Sequence, residues 1–290
     1  MDPSQAGRAA RALEVLHSTV YFAPEVAREL VALGLDRPAM QYFGMRAAPF
    51  GAVGPGLVTA TFYSFAPRAV AGALPAVWQI ADPEAVLAAR QRGIDAVYTR
   101  VLGEDVLASA EMAEAAEIAT SLADAIDGVG GRPLYGANAD LPWPDRPHLA
   151  LWHALTLLRE YRGDGHIAAA QTAGLSGLEA LVTHTASGIG FAPEFARRSR
   201  GWTQDEWRSC EDVLRERGLL DRRGDLTGEG FEVRELVEDL TDDLAAAPWG
   251  RVGEDRVERL LDLTAPWCDS LVREGGFPRE HFGPRWGDPR

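Results

Sequence analysis

The sequence contains no lysine; all 29 of its basic residues are arginine, and 43 acidic residues leave a formal net charge of -14. That balance disfavours a polyanionic partner, because binding nucleic acid or an anionic membrane depends on neutralising phosphates with clustered cations. Without lysine no phosphate loop of the Gly-Lys-Ser/Thr type can form, and neither a dinucleotide fingerprint nor a Gly-x-Ser-x-Gly elbow occurs. Cysteine is scarce: Cys210 and Cys268 make neither a disulfide framework nor a thiolate zinc site, and a reducing, cytoplasmic setting is expected. Long apolar runs are missing as well. Residues 1–10 lack the apolar stretch of a signal peptide, and the run from 69 to 80 is broken by Gly72 and Pro75, so no membrane partner is expected. What remains is 46% apolar and 25% charged, with 30 Gly and 18 Pro. That is a globular composition, and 290 residues predict about two domains.

An internal repeat organises the chain. Phe22-Ala23-Pro24-Glu25-Val26-Ala27-Arg28 recurs as Phe191-Ala192-Pro193-Glu194-Phe195-Ala196-Arg197. Its flanks also match: Leu13-Glu14 and His17 face Leu178-Glu179 and His184, and further on Arg46 matches Arg217, Trp78 matches Trp249 and Val101 matches Val272. These matches predict a duplication, with one copy near residues 8–103 and the other near 166–275. Two copies suggest a pseudo-symmetric pair rather than a solenoid.

The second copy is the more legible. Residues 148–161 leave almost no wet face and predict a buried helix, ended by Arg162-Gly163-Asp164-Gly165, with Asp164 capping a new helix at His166. Ala170, Gly174, Leu175 and Ser176 have helix-turn-helix spacing: a small residue at a helix crossing, Gly for the turn, Ser as cap. Thr203 caps a predicted helix over 204–217. Residues 218–227 read as strand, turn, strand, and a helix over 229–246 closes the unit. In the first copy, residues 49–61 with Gly51, Gly54 and Gly56 are the corresponding wing. Between the copies, residues 104–127 predict one helix and the Pro-rich 128–147 an ordered, extended strap. The expected fold is mainly α: two tandem winged-helix-like modules with small β-hairpin wings. Residues 1–103 form the first module, 104–147 the helix and strap, 148–275 the second module and 276–290 a docked tail.

The stretch Leu151-Trp152-His153-Ala154-Leu155-Thr156-Leu157-Leu158-Arg159-Glu160-Tyr161-Arg162-Gly163-Asp164-Gly165-His166 resembles the SalK-type family of actinobacterial proteins, described as MarR-like or winged-helix. The likeness extends to the Phe-Ala-Pro-Glu segments, Arg46-Ala47-Ala48-Pro49, Phe62-Tyr63, Gly131-Arg132-Pro133-Leu134 and Gly218-Leu219-Leu220-Asp221. The family pattern carries His where this chain has Tyr161. The resemblance implies a fold and transfers no mechanism.

Groove reading needs Arg, Lys, Asn or Gln on an exposed helix with cations beside it. The helix after the turn carries Glu179 instead, and the one before the second wing opens Gln204-Asp205-Glu206. Arg222 and Arg223 on the wing, with Arg197, Arg198 and Arg200, supply one edge of a site, but seven carboxylates between Glu229 and Asp243 oppose them. DNA is therefore an unlikely partner and a small molecule the expected one, with oligomeric state left open.

Chemistry is expected on the buried helix, where His153, Thr156 and Glu160 share one face. Such a polar stripe must meet partners, water or a ligand, since an unpaired buried polar group costs about 1–3 kcal/mol. One reading takes His153 or His166 as acid/base with Glu160 or Asp164 orienting it, Arg159 and Arg162 clamping an anion, and Arg46 and Tyr63 lining a cavity. A metal held by His153, Glu160 and His166 matches no recognised spacing, and no cofactor is expected. The structural alternative makes Asp164 a cap, Glu160 and Arg162 an ion pair, and Tyr63 and Arg46 packing residues. The leading reading is a small-molecule binder that has lost DNA recognition, one form of which is a cofactor-free enzyme of actinobacterial specialised metabolism. A MarR-like, ligand-responsive regulator is the rival.

Overall fold

Helix starts are set by caps and prolines. Asp2, Ser176 and Thr203 each form a capping box with the residue three positions on, Asp82 and Ser109 cap singly, and Pro occupies the first turn of many of the remaining helices. The computed structural model describes residues 1–286. Its helices are α1 (Pro3–Ser18), α2 (Pro24–Ala32), α3 (Pro38–Ala47), α4 (Pro55–Phe62), α5 (Pro67–Ala71), α6 (Val77–Ile80), α7 (Pro83–Leu102), α8 (Glu104–Leu107) and α9 (Ala110–Asp124). There follow α10 (Pro133–Ala139), α11 (Pro147–Thr172), α12 (Gly177–Ala186), α13 (Pro193–Ser199), α14 (Gln204–Glu216), α15 (Gly228–Ala245), α16 (Ala247–Val252) and α17 (Glu254–Glu274). Among the described residues β structure is confined to two isolated bridges, Phe191 with Phe282 and Leu220 with Leu226.

The chain divides into two units. Unit 1 comprises Met1–Gly54, Ala73–Asp164 and Asp242–Phe277; unit 2 comprises Pro55–Gly72, Gly165–Thr241 and Pro278–Arg290. In unit 1, α2 packs along α7 and α17 lies against α1, α7 and α9. Gly93 permits the first contact, since a Cβ there would come within 2.6 Å of the Val26 Cα. Leu16, Leu30, Ile94, Tyr98, Met112, Leu122 and Leu151 are fully buried in this core. Unit 2 has its own core, in which Ala170, Leu175, Val182, Trp207, Leu214, Leu219 and Val237 cluster.

Several sequence expectations are corrected. The helix over residues 148–161 does not stop at Gly163: α11 runs unbroken to Thr172. Each helical glycine costs roughly 1 kcal/mol relative to alanine, and tertiary burial of the flanking Leu157, Leu158, Ala169 and Ala170 overrides that. The helix expected over 104–127 is two, α8 and α9. Ser109 divides them by donating to the Val106 carbonyl while accepting from the Met112 N–H, so its side chain competes with the helical ladder. The wing expected over 49–61 is a single helical turn at Ala48–Phe50 followed by α4, whose Pro55 suits a first helical position. The second wing shrinks to one bridge, with Asp221 accepting from the N–H groups of Arg223 and Asp225 across a tight turn. The strap is not extended throughout, because α10 forms within it and buries Leu134 and Tyr135. At the C-terminus Phe282 stacks on Phe191 and Trp286 on Phe282, so the tail docks as far as it is described; residues 287–290 lie outside the described residues.

Candidate functional site

Unit 1 holds a small, partly open cavity lined by His17, Val20, Tyr21, Met45, Arg46, Arg90, Asn138, Trp152, Thr156 and Glu160. Its free space is about 10 Å³, on the scale of one water. Six elements build it: the end of α1, the turn after it, α3, α7, α10 and α11.

Glu160 anchors one wall. Arg46 Nη2 donates to Glu160 Oε2 at 3.0 Å and to Oε1 at 3.3 Å, and Arg159 Nη1 donates to Oε2 at 2.7 Å. Burial alone would raise this carboxyl, but Arg159 and Arg46 outweigh it and hold Glu160 down at about 2. The fork from Arg46 and the single bond from Arg159 on one buried carboxylate make a charge-assisted network. Arg159 also stands 3.8 Å from Glu14.

Beside it runs a chain of neutral groups. The Thr156 hydroxyl donates to the Trp152 carbonyl at 2.8 Å, so toward His17 Nδ1, 3.1 Å away, it must accept. His17 therefore carries its proton on Nδ1, and Nε2 accepts from the Tyr21 hydroxyl at 3.0 Å. Burial and the charge of Arg159 push His17 well below the usual histidine range, which agrees with a neutral ring. Trp152 stacks on His17 with ring centroids 5.9 Å apart and donates its indole N–H to the His17 carbonyl.

The opposite wall is not satisfied. Arg90 is 7% exposed; its guanidinium lies over the Trp152 ring at 5.1 Å, and its Nη1 reaches the Met45 carbonyl only at 3.5 Å. Burial pushes its pKa down to about 10. Its Nε meets no hydrogen-bond partner among the described residues. Asn138, 2% exposed, donates Nδ2 to the Leu134 carbonyl at 2.9 Å, which fixes the amide, and its Oδ1 is likewise without a partner.

Of the residues singled out in the sequence, Arg46, Arg159 and Glu160 come together at this cavity. His153 packs edge-on against Trp143, with ring centroids 4.8 Å apart; burial pushes its pKa to about 4, and its Nε2 has no partner among the described residues. Asp164 does not cap its own helix. Its Oδ2 accepts from the Leu134 and Tyr135 N–H groups at 3.0 and 2.9 Å, capping α10, and burial raises it to about 6. Arg162 pairs with Asp242 at 2.7 Å. His17, Tyr21, Arg90 and Asn138 were not singled out as site residues. His17 appeared only as a repeat match, and Asn138 lay in a stretch read as connector. Among the described residues no group of three or more His, Cys, Asp or Glu side chains is placed to hold a metal, and no helix is long and apolar enough to cross a membrane.

In unit 2, α11 ends in a Schellman turn: the Leu175 N–H reaches the Ala170 carbonyl, the Gly174 N–H reaches that of Gln171, and Gly174 takes φ +71. Ser176 then caps α12 in a box with Glu179. Tyr63, at φ +47, donates its hydroxyl to the Leu175 carbonyl, which makes it a clamp on this turn. His166 Nδ1 lies 3.1 Å from the Thr241 hydroxyl. Arg197 pairs with Glu194, and the Arg200 guanidinium sits near the rings of Phe65 and Phe191, which leaves less of the expected basic knot facing outward.

The sequence profile of a helix-turn-helix family matches residues 6–278. No curated protein and no solved structure matches the chain.

Proposed function

The chain belongs to this helix-turn-helix family, and from that premise we propose that it is a small-molecule binder whose ligand places one polar group in the small cavity of unit 1 and that it has lost groove recognition. One observation carries the reading: Arg90 Nε and Asn138 Oδ1, a donor and an acceptor, line one cavity without a protein partner among the described residues. Each such group costs about 1–3 kcal/mol when unsatisfied, so an occupant that meets both is favoured. Glu160 serves here as a positioning residue that fixes Arg46 and Arg159. The neutral Tyr21–His17 pair supplies the groups a cofactor-free proton transfer would use.

The surface of unit 2 supports the second half of the proposal. On α14 the exposed charged residues are Asp205, Arg208, Asp212 and Glu216, and on α15 Glu229, Glu232, Glu235 and Asp239 are exposed. A polyanion meets repulsion on both. The finer family assignment belongs to the same reading. The order of α14, bridged turn and α15 supports a reduced winged helix of the MarR-like, SalK type. The duplication gains support from the two heptapeptides, each of which opens a helix on Pro and packs its leading Phe on a distal one, Phe22 on Phe277 and Phe191 on Phe282.

Native mass spectrometry of the purified chain tests the binding claim: a small-molecule adduct present in the wild type and absent in Arg90→Gln is expected, and two ligand-free masses overturn it. The regulator reading is favoured by the well-capped turn before α12 and by the exposed Arg222 and Arg223. Fluorescence anisotropy on genomic fragments across a salt series decides, since tight binding that weakens steeply with salt belongs to the regulator and flat traces to the proposal.

A further inference from the structure

Helical carboxylates on much of the surface are answered by arginines: Glu114 and Glu117 of α9 by Arg259 and Arg256, and Asp212 of α14 by Arg215. The part of α15 that belongs to unit 2, residues 228–241, departs from this pattern. Its inner side buries Gly230, Val237 and Thr241. The single cation of α15, Arg234, is also turned inward, 4% exposed, and donates to Glu238 at 2.7 Å. The outer side therefore has no arginine of its own. Glu229, Glu232, Glu235 and Asp239 are exposed there at spacings of three, three and four, and among the described residues none of the four forms an ion pair. Like charges at these spacings repel one another along a helix. Beside them runs an apolar row, Val233, Leu236 and Leu240, also at helical spacing. Val233 and Leu240 are half-buried against the unit 2 core, whereas Leu236, with Glu232 one turn before it and Asp239 one turn after, is 47% exposed.

We infer that this face of unit 2 docks a cationic amphipathic helix of another protein, with lysines or arginines over the four carboxylates and an apolar row against Leu236 and its neighbours. Charge complementarity selects that occupant. Nucleic acid and anionic membranes are repelled, and a second copy presenting the same face would set four carboxylates against four. A polyamine neutralises the carboxylates but leaves Leu236 in water. A helix that carries both features meets the charge and the apolar row together, which is the usual way one amphipathic helix seats on another surface. Glu229 to Asp239 spans about 15 Å, so about three turns of the partner cover it. This docking face belongs to unit 2 alone and asks nothing of the unit 1 cavity.

Isothermal titration of the full chain at low salt reads the inference with three probes: a Leu/Lys amphipathic helical peptide of about 12 residues, a Lys/Ser peptide of the same length and charge, and spermidine. The Leu/Lys peptide is expected to bind at least about ten-fold tighter than either of the others. Leu236→Ser should erase that advantage. The double variant Glu232→Gln/Asp239→Asn should weaken the Leu/Lys peptide at least about five-fold, whereas the same charge change on exposed α17 positions, Asp255→Asn/Glu258→Gln, should leave it unchanged. All five positions are exposed, so unaltered circular dichroism is expected throughout and separates lost docking from lost folding. Equal affinity for the Leu/Lys and Lys/Ser peptides, or equal weakening by the α15 and α17 variants, would mean that only the net charge of the chain is being read and overturns the inference. Absence of heat with the Leu/Lys peptide overturns it too. A dimer in sedimentation equilibrium that Leu236→Ser dissociates gives the face to a second copy and likewise overturns it.

Discussion

Arg46 and Glu160, 114 residues apart in the chain, meet in a buried fork whose shorter arm is 3.0 Å, with Arg159 closing on the same carboxylate from the other side. That carboxylate fixes both guanidinium groups at the edge of the unit 1 cavity. Glu160→Gln keeps the shape and removes the charge, which strands two buried guanidinium groups. Losing one partner of a buried pair costs about 3–5 kcal/mol, and urea unfolding at pH 7 should show a loss of that order. A loss under about 1 kcal/mol would mean that the fork is not a buried network.

The same group sets an acid limb. Glu160 titrates at about 2 in the folded chain against 4.5 for an ordinary glutamate, so between those values the unfolded state binds more protons. Its stabilisation is complete above about pH 4.5 and disappears as the pH falls toward 2. The wild type should lose stability over that window more steeply than Glu160→Gln, which can be followed by circular dichroism.

Asp164 behaves in the opposite sense. Burial raises it to about 6 from 3.8, so the folded state holds the extra proton, and this group's contribution is complete below pH 3.8 and lost as the pH rises through 6. Asp164→Asn keeps an acceptor for the Leu134 and Tyr135 N–H groups and should be at least as stable as the wild type at pH 8. Asp164→Ala removes the cap of α10 and should cost about 1–2 kcal/mol in urea. Equal losses in the two variants would contradict the capping role.

His153 is held neutral by burial and by the nearby charge of Arg90, with a pKa of about 4. An unfolded histidine takes up its proton near 6.5, so stability drops as the pH falls from 6.5 toward 4, by at most about 1.4 kcal/mol per unit. His153→Phe fills the space beside Trp143 and should narrow the difference in urea midpoint between pH 7 and pH 5, leaving the part that belongs to His17. An unchanged difference would place the titration elsewhere.

Much of this was legible in the sequence, and what was not has physical causes. The turn at Gly174, the caps Ser176 and Thr203 and the buried face of α11 follow from local chemistry: a left-handed glycine, a hydroxyl before a glutamate, an unbroken apolar circumference. Where tertiary burial competes with local preference, local reading failed. Gly163 and Gly165 do not stop α11, and Asp164 caps a helix 30 residues upstream rather than its own. The wings failed because residues 218–227 hold one bridge and residues 55–62 prefer a helix begun by proline. Near the cavity, Arg159 and Glu160 stood out in the sequence because charged residues on an apolar helix demand partners, and Arg46 was named there only as a cavity-lining or packing residue. Arg90 and Asn138 were not, because α7 and the connector around α10 carry no such contrast.

The central claim is that Arg90 Nε and Asn138 Oδ1, which meet no partner among the described residues, are met by a bound small molecule. Native mass spectrometry of the full chain measures this most directly. A small-molecule adduct in the wild type that is lost in Arg90→Gln is the predicted result, and ligand-free masses from both would contradict it.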